Sequence, residues 1–323
     1  MKKLLATLLT LTLLLGAIFT LGSCAPQTTK LRVGYMTGPT GMGMAKLISD
    51  NGGAEVGNNK YEFNKYTDTA AALADLTKGA VDIVCLPTNE AANNYNKTYE
   101  NLTVLNINTL GSVYLITDEA NSVSSFAELE NKTIYTCLKG TPKIILTTLL
   151  EAAGVNATVL TEFDGATINS PADLQATLVN KDGIGIAVAP EPIVSAVTSA
   201  KSAYSVKLNL GEVWNEHFDT PLAMGCAVST KEFVAENKKA VNDFLNEYEA
   251  SIEYVNDRSN VETSAQLIVD AGIIPKLQLT KKALGNLIGS IAYIDGEDMK
   301  EALVGFYEAI GLTLPNNEFY YEK

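Results

Sequence analysis

From residue 30 onward, short apolar runs alternate with helix-type segments, and this alternation constrains the chain more than any other feature. The runs lie at 31–36, 61–66, 83–86, 102–108, 112–117, 133–137, 159–163, 183–188, 206–210 and 222–229. Between them fall helical stretches at 41–50, 69–78, 89–97, 125–130, 143–153 and 171–180. Strands separated by helices of this kind predict an α/β fold with largely parallel strands. Local punctuation agrees: Asp68 suits an N-cap, Gly79 and Gly154 suit helix ends, and Pro142 suits a first turn. The pattern restarts after Thr117, which marks a crossing into a second lobe, and 222–229 carries the chain back. The remainder, 231–255, 261–271, 281–291 and 299–310, reads as helical, with Gly272, Pro275 and Gly311 as breaks.

Four strand-to-helix junctions stand out: Gly38-Pro39-Thr40-Gly41-Met42-Gly43, Pro87-Thr88-Asn89, Lys139-Gly140-Thr141-Pro142 and Ala189-Pro190-Glu191-Pro192. Ligands of open α/β sheets bind outside the carboxyl ends of strands, and two junctions per lobe fit a cleft between lobes. The first junction has P-loop spacing from Gly38 to Gly43, but Met44 stands where the lysine belongs, and its glycine order fails the dinucleotide fingerprint. Without its neighbours it reads equally as a tight turn. Met42 and Met44 offer adaptable apolar walls, one of them facing the core. A carboxylate at Glu191 in a closing cleft needs a cation, a donor or a basic neighbour; the alternative is a helix N-terminal glutamate satisfied by local N–H groups. Trp214, Tyr35, Tyr95 and Tyr114 are ring-stacking candidates, with packing the favoured role for Trp214.

Composition excludes several classes. The 323 residues, 46% hydrophobic, suffice for a sizeable core. A formal charge of −13 argues against nucleic acid as a partner. Lys2 and Lys3 precede an apolar run at 4–21, which reads as an export signal, although its length also fits a membrane span. Leu21-Gly22-Ser23-Cys24 resembles the bacterial lipobox, so Cys24 is expected to carry lipid, and loss of Lys2 and Lys3 takes −13 to −15. Cys85, Cys137 and Cys226 lie in apolar runs without CxxC spacing and are expected as buried thiols. The single histidine, His217, reads as a surface residue, and no GxSxG or HExxH motif occurs. Asp295-Gly296-Glu297-Asp298 lacks a calcium-loop pattern and fits a helix start capped by Asp295. Catalytic residues, metal and cofactor are all expected to be absent.

In order along the chain, the first junction, Leu86-Pro87-Thr88-Asn89 with Asn94-Tyr95-Asn96-Lys97, and Leu110-Gly111-Ser112-Val113-Tyr114 resemble the first lobe of the extracellular substrate-binding proteins of ABC importers. Phe126-Ala127-Glu128-Leu129-Glu130-Asn131-Lys132-Thr133 looks like that family's lead into the second lobe, and Ala189-Pro190-Glu191-Pro192 is similar to its "EP" turn. Asp243-Phe244-Leu245 with Tyr248 resembles the helix after the return crossing. The branch it resembles is the one containing nitrate, sulfonate, taurine and thiamine-precursor binders. It also includes intracellular enzymes of pyrimidine synthesis that depend on histidine and lysine, and His217 fits no such motif.

The resemblance implies the two-lobe periplasmic-binding-protein (type II) fold. It divides the chain into signal peptide 1–23, lipidated tether 24–30, first lobe 31–114, second lobe 115–221, and return with C-terminal helices 222–323. It further implies a monomer on the outer face of a bacterial cell membrane that delivers a small solute to ABC permease and ATPase subunits. The expected cleft is walled by Gly38, Pro39, Thr40, Gly41, Met42, Thr88 and Asn89 from one lobe and Gly140, Thr141 and Glu191 from the other. Hinges are expected near Gly111 and 222–225, and helix N-termini together with Glu191 favour a small polar heterocycle or zwitterion. Alternatives on the same frame are an extracellular sensing module and a secreted enzyme.

Overall fold

A computed structural model describes residues 29–51, 55–56 and 59–323. The predicted signal peptide and Cys24 lie outside them. The chain begins with β1 (Thr29–Met36), α1 (Pro39–Met42), α2 (Ala45–Asp50), β2 (Glu55–Val56), β3 (Asn59–Tyr66), α3 (Thr69–Thr77), β4 (Ile83–Pro87), α4 (Thr88–Lys97) and β5 (Leu102–Leu110). A second group follows: β6 (Val113–Thr117), β7 (Thr133–Tyr135), α5 (Thr141–Ala152), β8 (Thr158–Leu160), β9 (Glu162–Phe163), β10 (Ala166–Thr167), α6 (Pro171–Asn180), β11 (Ile186–Pro190), α7 (Ile193–Ala200), β12 (Ser205–Asn209) and α8 (Leu210–His217). The return comprises β13 (Ala223–Thr230), α9 (Lys231–Glu236), α10 (Lys238–Asn256), α11 (Val261–Asp270), α12 (Leu277–Leu287), β14 (Ile291–Ile294) and α13 (Gly296–Ala309). None of the described helices is long and apolar enough to cross a membrane.

Two main sheets result, a seven-stranded one in the order β14-β5-β13-β4-β1-β3-β2 and a five-stranded one in the order β12-β6-β11-β7-β8. Alternate residues of the central strands feed opposite faces of the larger sheet: Val84 and Leu86 join one core, Ile83 and Cys85 the other. Both faces are covered, so these strands read as unbroken apolar runs. The first core continues into the smaller sheet through Val113, Leu115 and the fully buried Trp214, whose Nε1 donates to Thr220 O at 2.8 Å. Trp214 is therefore a packing residue.

Several expectations need correction. Among the described strands, parallel pairing occurs between β1 and both β3 and β4 and between β7 and both β8 and β11, besides one isolated parallel bridge of Val104 with Tyr320. The strands beside the lobe crossings run the other way: β13 is antiparallel to β4 and β5, and β6 to β11 and β12. Strand β1 opens at Thr29, so residues 29 and 30, expected in the tether, pair with Asn59 and Lys60. The helix expected at 41–50 is broken in two because Ser251 inserts at the break, its hydroxyl donating to Gly43 O at 2.6 Å and accepting from Leu47 N at 3.0 Å. The stretch 231–255 divides at Asn237 into α9 and α10, and 291–294, expected at the end of a helix and beyond it, forms an edge strand on β5. Asp295 occupies the N-cap of α13, but its carboxylate accepts from the Tyr293 hydroxyl at 2.9 Å and caps no helix N–H.

Cys85, Cys137 and Cys226 are free and buried, as expected, and His217 is exposed at the end of α8. Asp68 caps α3 through Ala71 N at 2.9 Å. Where the chain leaves the first sheet, Gly111 packs on Gly211, and a Cβ at Gly111 would lie 2.7 Å from the Gly211 Cα.

Candidate ligand cleft

The carboxyl ends of β1, β3 and β4 open onto a cleft of about 1090 Å³ between the two sheets. At the end of β1, Thr37 N donates to Tyr66 O at 3.0 Å, and the chain turns at Gly38, whose φ of 87° suits glycine. Gly38 N reaches Ile273 O at 3.4 Å, which joins this turn to the loop between α11 and α12. Gly38, Pro39 and Thr40 line the cleft. Gly41 and Met42 do not: a Cβ on Gly41 would sit 1.9 Å from Met36 O, and Met42 is fully buried in the core together with Met44. The thioethers in the wall belong to Met36 and Met224.

At the second junction Pro87 lines the cleft and itself occupies the N-cap of α4. Thr88, whose hydroxyl could have capped the helix, sits inside it, and that hydroxyl donates to Ala223 O of β13 at 2.6 Å. Asn89 is buried and also lies off the cleft surface. From the other lobe Thr141 lines the cleft as the first residue of α5, whereas Gly140, the N-cap with φ 92°, does not.

Glu191 is both a cleft residue and a structural one. It is 1% exposed. Its Oε2 accepts from Ser195 N at 3.1 Å, and its Oε1 accepts from Ser195 Oγ at 2.9 Å and from Asn286 Nδ2. Burial raises its pKa above the ordinary 4.5, while these donors and the charge of Lys282 pull the other way. Both earlier readings apply: the glutamate folds back on the first turn of α7, and it also meets a donor from the opposite lobe. That donor's backbone carbonyl accepts from the Tyr114 hydroxyl at 2.7 Å, and Lys282 Nζ on the same helix donates to Ser199 Oγ at 3.2 Å. Helix α12 is thereby stitched to β6 and α7.

Much of the wall comes from residues that the strand-end rule does not reach. Ser170 to Ala172 and Gln175 come from the start of α6, Ile193, Ala196, Ser199 and Ala200 from α7, and 272–276 from the loop before α12. Gly272 and Pro275 signalled that loop, though nothing local placed it opposite Gly38. Among the described residues of the cleft only Glu191 and Lys276 are ionisable, and Lys276 is exposed.

Residues 58–259 match the family model described as NMT1/THI5 like. The chain belongs to that family. No curated protein matches it significantly. Solved structures similar to this NMT1/THI5-like protein include an ABC transporter protein from Parabacteroides distasonis, with 21% identity, TM-score 0.74, and 91% of this chain and 99% of that one covered. The periplasmic aliphatic sulphonate binding protein SsuA from Escherichia coli aligns with 15% identity and TM-score 0.64 over 91% of this chain and 92% of that one. The periplasmic nitrate-binding protein NrtA from Synechocystis PCC 6803 aligns with 14% identity and TM-score 0.60 over 84% and 75%. The NMT1/THI5-like chain thus has the type II periplasmic-binding-protein fold expected from its sequence.

Proposed function

We propose that this protein is the solute-binding component of an ABC import system, held by lipid at Cys24 on the outer face of a bacterial cell membrane. In this reading a first lobe (31–114 with 222–323) and a second (115–221) close on a small solute and present it to a permease served by an ATPase. The observation that carries the reading is the cleft: it lies where strand ends open between two sheets, and both sheets' connections wall it. The paired chain crossings at Gly111 and before β13 suit a hinge. The Glu191 oxygens are engaged by Ser195 and Asn286, which supports binding over acid–base turnover.

Thermal denaturation against sulfonates, thiamine precursors, flavins, amino acids and neutral solutes tests the reading. A ligand at 100 times its Kd adds about 2.7 kcal/mol. A melting temperature unmoved by every class removes the binding role. Labelling with a fatty-acid analogue that is lost in Cys24→Ala supports the anchor; labelling retained in that variant overturns it.

A further inference from the structure

Resting on the binding-protein reading, we propose that the cleft takes an uncharged ligand, an aliphatic or alicyclic body carrying several hydroxyl, ether or carbonyl oxygens. The charges come first. Glu191 is largely committed within the protein: its Oε1 accepts from Ser195 Oγ and Asn286 Nδ2 and its Oε2 from Ser195 N, so a ligand cation must compete with three donors already in place. Lys276, the other ionisable residue in the wall, is solvated. Helix N-termini, the usual alternative for anions, are largely taken by the protein's own carboxylates. The first turn of α6 is closed by the reciprocal Ser170 and Asp173 capping box, and the first turn of α7 by Glu191. An anion brought there would meet carboxylates rather than open N–H groups. The start of α5 has no side-chain cap, and there the Thr141 hydroxyl stands beside the open N–H groups as a site for a ligand oxygen.

Apart from the solvated Lys276 ammonium, the uncommitted polar groups are neutral. Thr37, Thr40, Thr67 and Ser112 from one lobe and Thr141 and Gln175 from the other have no side-chain hydrogen bond to any described residue. Closure over these groups leaves each unpaired unless the ligand answers it. Hydroxyls that both donate and accept match ligand alcohols and carbonyls, but they do not offset the cost of burying a formal charge. Between them the wall is proline and aliphatic, as at Pro39, Pro190, Pro192 and Ile193, and among the described residues no aromatic ring lines it to stack on a planar ring or to hold a cation. At about 1090 Å³ the space far exceeds a small inorganic anion. A zwitterion, expected from sequence, would have to compete for Glu191 with the Ser195 and Asn286 donors.

The test is calorimetric and thermal-shift titration of the full-length protein with probes that share a body and differ in charge. They are octane-1,8-diol, octane-1-sulfonate and octylammonium, with cyclohexane-1,4-diol as the alicyclic member. The expected result is at least tenfold tighter binding of a diol than of either ion. Its affinity should be flat from about 50 to about 500 mM NaCl and weakened at least fivefold by Thr40→Val or Ser112→Ala. A sulfonate or ammonium that binds as tightly as the diols overturns the ligand class and leaves the binding-protein reading standing. Failure of all four probes overturns the class; if the broader solute panel also leaves the melting temperature unmoved, the binding-protein reading falls with it.

Discussion

Removing the Asn286 side chain should loosen the grip of one lobe on the other. Asn286 Nδ2 donates to Glu191 Oε1 across the cleft, while the Asn286 backbone carbonyl separately holds the Tyr114 hydroxyl at 2.7 Å. Asn286→Ala therefore deletes one bond and spares the other. Hydrogen bonds to ionised groups contribute about 1.5–3 kcal/mol, and here the carboxylate left behind is buried, with only the Ser195 donors remaining. In an opened molecule water replaces the lost donor, so the loss falls on the closed state. A factor of ten per 1.4 kcal/mol then shifts the open–closed equilibrium about ten- to a hundredfold toward open. Small-angle scattering of the ligand-free protein should show a larger radius of gyration, and a bound solute should restore the wild-type value. A variant with unchanged scattering and unchanged ligand affinity, but a lower melting temperature, would refute the argument and place Asn286 in fold stability alone.

Three further predictions follow from particular contacts. Because burial raises the Glu191 pKa above 4.5, its contribution to stability is fully present below the unfolded value and is lost as pH rises through the folded one. The unfolding free energy of wild type minus that of Glu191→Gln should thus fall with rising pH; a difference independent of pH counts against it. Gly41→Ala should destabilise by about 3 kcal/mol or more in urea denaturation, since its Cβ would lie 1.9 Å from a backbone oxygen, whereas Thr40→Ala should fold normally. Equal midpoints for the two variants would dismiss the clash. Arg32→Leu strips the guanidinium from Asp82, a carboxylate side chain 3% exposed, and leaves it Arg32 N at 2.7 Å. With water reaching the 35% exposed arginine side, the loss should be about 2–3 kcal/mol, and an unchanged urea midpoint would contradict it.

Local chemistry alone was enough to place most elements. Apolar runs covered on both faces marked the strands, and caps such as Asp68, which needs only its own next turn, marked helix starts. The order of junctions also located four cleft segments, around Gly38 to Thr40, Pro87, Thr141 and Glu191, because strand ends are where α/β sheets leave room. What failed depended on partners distant in sequence. Thr88 has the chemistry of a cap, but the Ala223 carbonyl of β13 lies within reach and takes its hydroxyl. An expected helix broke where Ser251, some two hundred residues away, supplied the bonds that the break exposed. Glycine and methionine fit both a wall and a core, and only packing sent Gly41 and Met42 inward while leaving Met36 and Met224 at the surface of the cleft.

The sequence by itself determined the class of fold, the two-lobe plan and the junctions that face the cleft, since periodicity and turn chemistry act within a few residues. Tertiary structure alone decided which side chains reach the cleft and what charge it presents. Glu191 is a free carboxylate in the sequence; it is a committed one once Ser195 and Asn286 fold against it, because a buried charge must be satisfied by whatever donors the fold brings near.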